Sequence, residues 1–227
     1  MPEEFYYRKL YILQDEVMQV IGKINSDFYL TGGTALSRVY LNHRYSDDLD
    51  FFCNQSPEFQ KSIENIKRNL SIQFDTEIII ASDSLVRLNV NKNSTLLKLD
   101  FVNDVAYRHE QLSSWEKYPR VDHPLNILSN KISALSRLES KDAADILFLA
   151  YSFSFNWEFI IGEAQKKDMW VNPIDVSGII ETFPVERFDE IKWIAKPNYR
   201  KAEKDLKTIA KNIVLGADNK LNILHEL

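Results

Sequence analysis

The sequence predicts an α+β protein, with strands and helices mixed up to about residue 120 and helices alone after it. Three observations lead there. Alternating or β-branched segments such as "LVRLNV" (85–90) and "LLKLDFV" (96–102) recur in the first half. From Pro124 onward the apolar residues follow helical spacing. Between them, "HEQLSSWEKYPRVDHP" (109–124) has two prolines and little pattern, which sets the expected boundary: one domain over 1–120 and a helical one over 121–227.

The elements read in order as follows. Residues 3–24 place Leu10, Leu13, Val17, Val20/Ile21 and Ile24 at helical spacing, and Pro2 suits a first turn. "DFYL" (27–30) is a short strand running into Gly32-Gly33, and "TALSRVYLN" (34–42) is a helix beginning right after the glycines. "DLDFF" (48–52) is a strand, 57–70 a helix, and "IQFDTEIII" (72–80) a strand, followed by the two segments quoted above. The second half reads as helices at "LNILSNKISALSRL" (125–138), "KDAADILFLAYSF" (141–153), "WEFIIGEAQKK" (157–167) and about Tyr199 to Leu215. In the last of these, Ala202, Leu206, Ile209 and Ile213 form a core stripe.

Composition narrows the classes. At 44% hydrophobic, 27% charged and net charge −5, the chain has the balance of a globular protein, and any contact with nucleic acid has to use a local basic patch. The single cysteine, Cys53, excludes an intramolecular disulfide and points to a reducing, cytoplasmic setting. It reads as a small buried side chain, not a nucleophile. No signal peptide or membrane-length apolar run is legible, so no membrane is expected. His43, His109, His123 and His225 show no zinc-ligand spacing with it.

The chemistry gathers in "LTGGTALSRVYLNHRYSDDLDFF" (30–52). Side chains alternate along a strand, so Asp48 and Asp50 project from one side while Leu49 and Phe51 face a core. Close carboxylates repel unless a cation separates them, and Mg²⁺ (or Mn²⁺) is hard, prefers oxygen and is commonly shared with substrate phosphates. In "LLKLDFV" the same alternation buries Leu97, Leu99 and Phe101 and leaves Lys98 and Asp100 opposite; if the strands are neighbours, Asp100 becomes a third metal ligand. Asp47 falls on the other face and reads as a bystander. A strand ending at Gly32-Gly33, then Thr34 and a helix start, suits a phosphate group, with the Thr34 hydroxyl as a further donor. It is neither a Walker A loop nor a dinucleotide fingerprint.

"GGTAL" (32–36), "HRYSDDLDFF" (43–52), "LKLDFV" (97–102) and "NKISALSRLESKDAADILFL" (130–149) together resemble the nucleotidyltransferases of the DNA polymerase β superfamily, and within it the AbiEii/AbiGii toxin family, over about residues 28–150. The resemblance implies a polymerase β-type mixed sheet with flanking helices. It implies transfer of a nucleotide from an NTP to an acceptor hydroxyl with loss of pyrophosphate, in a bacterial toxin–antitoxin or phage-abortive system, with the 3′ end of tRNA as one acceptor of the family and a cognate antitoxin as a partner. On matching positions Gly32, Gly33 and Thr34 would hold the triphosphate, Asp48 and Asp50 the metal, and Asp100 would join them and help deprotonate the hydroxyl. Lys131 becomes a candidate for gripping the triphosphate or base, and Asp142 and Asp145 for ordering a basic side chain near a cleft between the halves. Lys141 belongs to the same nucleotide-binding motif.

Several positions keep two readings. Arg44, with Ser46, either neutralises phosphate or pairs with Asp47 or Asp48 to hold the loop. Lys131, Leu135 and Leu138 share one helix face; Lys141 and Asp145 form an ordinary i, i+4 pair unless the motif enlists them. Arg200, Lys204, Lys207 and Lys211 are a solvated face or a track for an RNA backbone. "FSFNWEF" (153–159) is core or a surface on which bases stack. The acceptor is RNA, or else a protein or small molecule; a catalytically degenerate nucleotide binder is disfavoured by the intact carboxylates.

Overall fold

A computed structural model describes residues 2–222, so His225 lies outside the described residues. The chain forms two compact units, one of residues 1–35 and 45–123, the other of 36–44 and 124–227. The second unit therefore takes a short segment from within the first.

The first unit opens with a continuous helical run: α1 (Pro2–Phe5), a π-helical stretch (Tyr6–Leu10) and α2 (Tyr11–Gly22). β1 (Tyr29–Thr31) leads into the short α3 (Gly32–Ala35), which includes the glycines instead of following them. β2 (Leu49–Asn54), α4 (Phe59–Leu70), β3 (Asp75–Ala81), β4 (Leu85–Lys92) and β5 (Thr95–Asp104) come next. The segment expected to be a patternless boundary instead forms a hairpin, β6 (Ser113–Trp115) and β7 (Tyr118–Val121). Its strands are too short to show alternation, and Pro119 hides them further.

These strands make one mixed seven-stranded sheet in the order β3-β4-β5-β2-β1-β7-β6. β2 runs parallel to β5 and antiparallel to β1, and β1 runs parallel to β7. Alternation gives the sheet a core face: Leu49, Phe51 and Cys53 of β2, Leu97, Leu99 and Phe101 of β5, and Val86, Leu88 and Val90 of β4 are all buried. Phe51 and Phe101 stack with ring centroids 5.3 Å apart. Val17, Met18 and Ile21 of α2 and Phe59, Ile63, Ile66 and Leu70 of α4 are buried too, and these two helices pack together and against the strands. Edge strand β3 is mostly exposed, with Ile78, Ile79 and Ile80 open to solvent.

The second unit is helical. A π-helical segment, Leu36–Leu41, packs on α5 (Pro124–Ser133) and α6 (Ser140–Ser152). α7 (Trp157–Gln165), α8 (Pro173–Glu181) and α9 (Tyr199–Leu215) follow, with Asn156, Asn172 and Asn198 capping their N-termini through side-chain oxygens. The continuous helix expected over 125–138 breaks: α5 ends at Ser133, a 3₁₀ turn spans Leu135–Arg137, and Leu138 is left-handed at φ 57°. Leu135 is buried and Leu138 exposed, so the helical face shared by Lys131, Leu135 and Leu138 does not form. In α9, Ala202, Leu206, Ile209 and Ile213 are buried.

Candidate active site

The other face of the sheet is half-exposed and polar where β2 and β5 meet. Register pairs Asp50 with Asp100 across the parallel β2–β5 ladder, Asp50 with Thr31 on β1, and Asp100 with Arg87 on β4. Partners in register share a face, so Arg87, Asp100, Asp50 and Thr31 form one row across four strands. Asp48 lies two residues before Asp50, just ahead of the first β2 residue, so it enters the strand instead of sitting inside it as the sequence suggested. Lys98 lies two residues before Asp100 on the same face of β5.

These side chains are joined by charge. The Arg87 guanidinium grips Asp100 with two bonds, Nε to Oδ1 at 2.6 Å and Nη2 to Oδ2 at 2.8 Å. The hydrogen bond to Asp100 raises the Arg87 pKa above its ordinary value against the cost of desolvation, and the charges of Asp100, Asp48 and Asp50 add to it. Lys98 Nζ lies 2.7 Å from Asp48 Oδ2 and 3.8 Å from Asp100 Oδ2. The Lys98 ammonium thus lies between Asp48 and Asp100. The carboxylate oxygens around it are the donor type that a hard divalent ion prefers. Among the described residues no group of three or more His, Cys, Asp or Glu side chains is arranged to hold a metal as it stands.

Gly32 explains why the glycine turn lies beside the acids. Its φ is +66°, and a Cβ there would overlap Asp50 Oδ2 and lie 3.1 Å from Asp50 Cγ. Only glycine allows both the left-handed backbone and this approach. Gly33 is buried. Thr34 is buried as well: its hydroxyl donates to the Asp48 carbonyl and shares a 2.9 Å hydrogen bond with Ser46 Oγ. The sequence reads Thr34 as a phosphate donor; in this structure its hydroxyl proton turns inside and holds the start of β2. Ser46 is buried and pinned in turn: its N–H donates to Tyr11 Oη at 3.2 Å, and its carbonyl accepts from Gln14 Nε2 at 3.1 Å. Asp47 accepts a hydrogen bond from the Tyr6 hydroxyl.

The model of the AbiEii nucleotidyl transferase toxins, a Type IV toxin–antitoxin family, matches residues 21–207. The chain belongs to this AbiEii family. It is a nucleotidyltransferase. Among solved structures, the AbiEii-family chain is similar to JHP933 from Helicobacter pylori at 20% identity and TM-score 0.59, over 100% of this chain and 96% of that one. It is also similar to a structure titled as a putative nucleotidyltransferase from H. pylori at 20% identity and TM-score 0.56, over 96% of this chain and 98% of that one. Both likenesses concern the fold. No curated protein matches in sequence.

In the helical unit of this AbiEii-family enzyme, the other motif residues form a buried ion network. Asp145, inaccessible to solvent, accepts from Arg44 Nε and Nη2, both at 2.8 Å, and from His43 Nε2 at 2.8 Å; Lys131 Nζ lies 2.7 Å from it. Arg44 therefore pairs with Asp145, a partner that its sequence neighbourhood did not offer. Burial alone would raise the Asp145 carboxyl, but the charges of Arg44 and Lys131 and the bonds from Arg44 and His43 override it and hold it well below the usual carboxylate range. Lys131 also bonds Asp142 at 2.7 Å, and Arg137 lies 3.1 Å from the other Asp142 oxygen. Burial alone would lower the Lys131 ammonium; Asp145 and Asp142 reverse that and raise it. Burial keeps the His43 imidazole neutral, below its ordinary range, so it donates Nε2–H to Asp145 while its buried Nδ1 has no partner among the described residues. Lys141 is exposed, and the Asp145 partner proposed for it is bound to Arg44 and Lys131 instead.

Other positions fall as follows. Arg200, Lys204, Lys207 and Lys211 are exposed along one side of α9, where they line an open groove with Glu203 and Thr208. Lys207 pairs with Glu203 at 2.6 Å. Of the aromatic run, Trp157 is core, with Phe155 edge-on to it at 4.8 Å, and Phe159 is exposed. Cys53 is buried, which pushes its thiol up to about 11, far from a reactive thiolate. Sequence reasoning placed Lys98 on the outward face but gave it no role, and passed over Arg87 and Asp122. The last is a buried carboxylate just past β7 that accepts a 2.7 Å hydrogen bond from Thr31 Oγ1. Lys98 carried a legible signal, being two residues from Asp100 on an alternating strand. Arg87 and Asp122 needed the sheet register.

Proposed function

We propose that the chain transfers a nucleotide from an NTP to the hydroxyl of an RNA acceptor, with Asp48, Asp50 and Asp100 holding Mg²⁺ or Mn²⁺. The observation that carries this is the meeting of Asp48 and Asp100 at the Lys98 ammonium, with Asp50 in register beside Asp100 on the same sheet face. When bound, the divalent ion supplies charge neutralisation at the reacting phosphate. Asp100, oriented by the Arg87 fork, takes the proton of the attacking hydroxyl. The hydroxyl oxygen bonds to the α-phosphorus, the bond from that phosphorus to the bridging oxygen breaks, and the electron pair leaves with pyrophosphate. The Gly32-Gly33 turn, lying against Asp50, offers backbone to the triphosphate.

The RNA acceptor rests on family and on charge. The tRNA 3′ end is the acceptor the family resemblance implies, and Arg200, Lys204, Lys207 and Lys211 supply an exposed basic face suited to a phosphate backbone. A cognate antitoxin follows from the family description alone, and a part in phage defence is what the sequence resemblance implies. A cytoplasmic site of action fits the lone buried Cys53; among the described residues no helix is long and apolar enough to cross a membrane. Lys131, Asp142, Asp145, Arg44 and Ser46 act here through the order they impose on their own units; a direct contact of Lys131 or Lys141 with nucleotide is a separate matter for substitution.

The deciding experiment incubates the protein with each labelled NTP, Mg²⁺ and total RNA or lysate, beside Asp48→Asn/Asp50→Asn. Label in RNA that vanishes in the variant supports the proposal. Label only in protein or small molecules moves the acceptor to those classes, and no label with any acceptor removes the reading. Growth inhibition on overexpression should disappear in the same variant at equal soluble protein.

A further inference from the structure

Five charged side chains gather on one half-exposed sheet face. Asp50, Asp100, Arg87 and Lys98 project from neighbouring strands, and Asp48 from the residue that leads into β2. The two bases differ in how they are held. Arg87 makes a planar two-bond fork with Asp100 alone, the geometry that fixes a carboxylate's orientation. Lys98 makes one short contact to Asp48 and a longer one, 3.8 Å, to Asp100. Its side chain and that of Asp48 are 33% and 35% exposed, so the pair is the weaker of the two and open to exchange. An ammonium on a flexible stem can leave without moving the backbone, and it keeps its charge wherever it goes.

We propose that Lys98 is an exchangeable counter-cation of the transfer site. In the absence of substrate it neutralises Asp48 and Asp100; when a divalent cation enters with a nucleoside triphosphate, the ammonium passes to the triphosphate oxygens. The proposal rests on the reading of the three carboxylates as the metal-holding group. It adds a residue to the site and a rule for loading it: metal alone competes against a resident positive charge, whereas metal and triphosphate together give that charge a new partner. Arg87 keeps Asp100 aimed throughout and is a positioning residue.

The test is Mn²⁺ binding to the full chain, followed by electron paramagnetic resonance without nucleotide, in wild type, Lys98→Met, Lys98→Arg and Lys92→Met. Lys92 pairs with Glu16 at 2.7 Å on the neighbouring strand and controls for loss of one positive charge. Lys98→Met should bind Mn²⁺ roughly three- to fivefold more tightly than wild type, the scale of a part-exposed ion pair. Lys98→Arg and Lys92→Met should stay within about twofold. At saturating Mn²⁺, affinity for an α,β-methylene triphosphate should fall in Lys98→Met by a similar factor. Lys98→Gln, with matched thermal melts, guards against an effect of folding. Unchanged Mn²⁺ affinity in both Lys98→Met and Lys98→Gln, or unchanged triphosphate affinity, overturns the exchange while leaving the carboxylate reading intact. If Asp48→Asn/Asp50→Asn binds Mn²⁺ as well as wild type does, the carboxylate reading itself fails and the exchange with it.

Discussion

Replacing Asp145 by Asn should destabilise the helical unit by about 3–5 kcal/mol at neutral pH, the cost of stripping one partner from a buried ion network. The wild-type carboxylate takes two bonds from Arg44 and one from His43 and sits 2.7 Å from Lys131, with no solvent access on its side. An amide of the same shape keeps one acceptor oxygen and turns an NH₂ toward the cations. The Arg44 side chain is only 3% exposed and that of Lys131 12%, so water cannot replace the lost charge. Set against a total stability of about 5–15 kcal/mol, this is a large fraction. Urea unfolding followed by tryptophan fluorescence reads it well, because Trp157, Trp170 and Trp193 lie in the helical unit and only Trp115 in the other. Acid adds a second check. The native Asp145 carboxyl is held low, so its contribution is complete above the unfolded value of about 3.9 and is lost as the pH falls from there through the native value. Asn does not titrate, so the gap between variant and wild type should narrow below about pH 4. A difference under about 1 kcal/mol at pH 7, or one that persists unchanged at pH 3, refutes the reasoning.

Gly32→Ala should lower label transfer by roughly 10²-fold while circular dichroism stays near wild type, because the new Cβ displaces Asp50 and the backbone is left-handed; near-wild-type transfer would contradict the role given to the close approach. Thr34→Val should cost about 1–3 kcal/mol in urea by leaving Ser46 and the Asp48 carbonyl unpaired, with Thr34→Ser milder. Equal losses for Val and Ser would show that the hydroxyl is not the cause. Cys53→Ala should keep label transfer within about twofold, and the native thiol should react slowly with a thiol reagent until urea exposes it; loss of transfer in a folded variant would give the thiol a part in the chemistry.

What the residues made legible and what they hid divides along the range of the interactions. Alternation along β2 and β5 predicted both the buried set and the outward Asp50 and Asp100, because strand periodicity is a local property. The α9 stripe was legible for the same reason. Arg44 was read against Asp47 and Asp48, its neighbours in sequence, yet its partner is Asp145, a hundred and one residues away. No local pattern carries that pairing. The type of Thr34 and its place after Gly-Gly suit a phosphate donor, whereas burial decides whom its hydroxyl reaches in this structure. The break at Leu138 escaped because apolar spacing continues through it while the backbone turns left-handed. β6 and β7 escaped because strands of three and four residues have no period to show.

The borrowing of residues 36–44 by the helical unit has a practical consequence for anyone dissecting the molecule. A gene cut at residue 120 yields two broken halves. The front piece loses Val121, which registers with Leu30 in the middle of the sheet, and Asp122, the acceptor of Thr31. The rear piece keeps Asp145 and Lys131 but has neither Arg44 nor His43, so its acid is left with one cation where the native protein gives it two. A self-sufficient helical fragment has to be built by joining 36–44 to 124–227 through a new linker. The ribosome meets the same order of events: the first forty-four residues contain a piece that finds its partner acid only after a further hundred have been made.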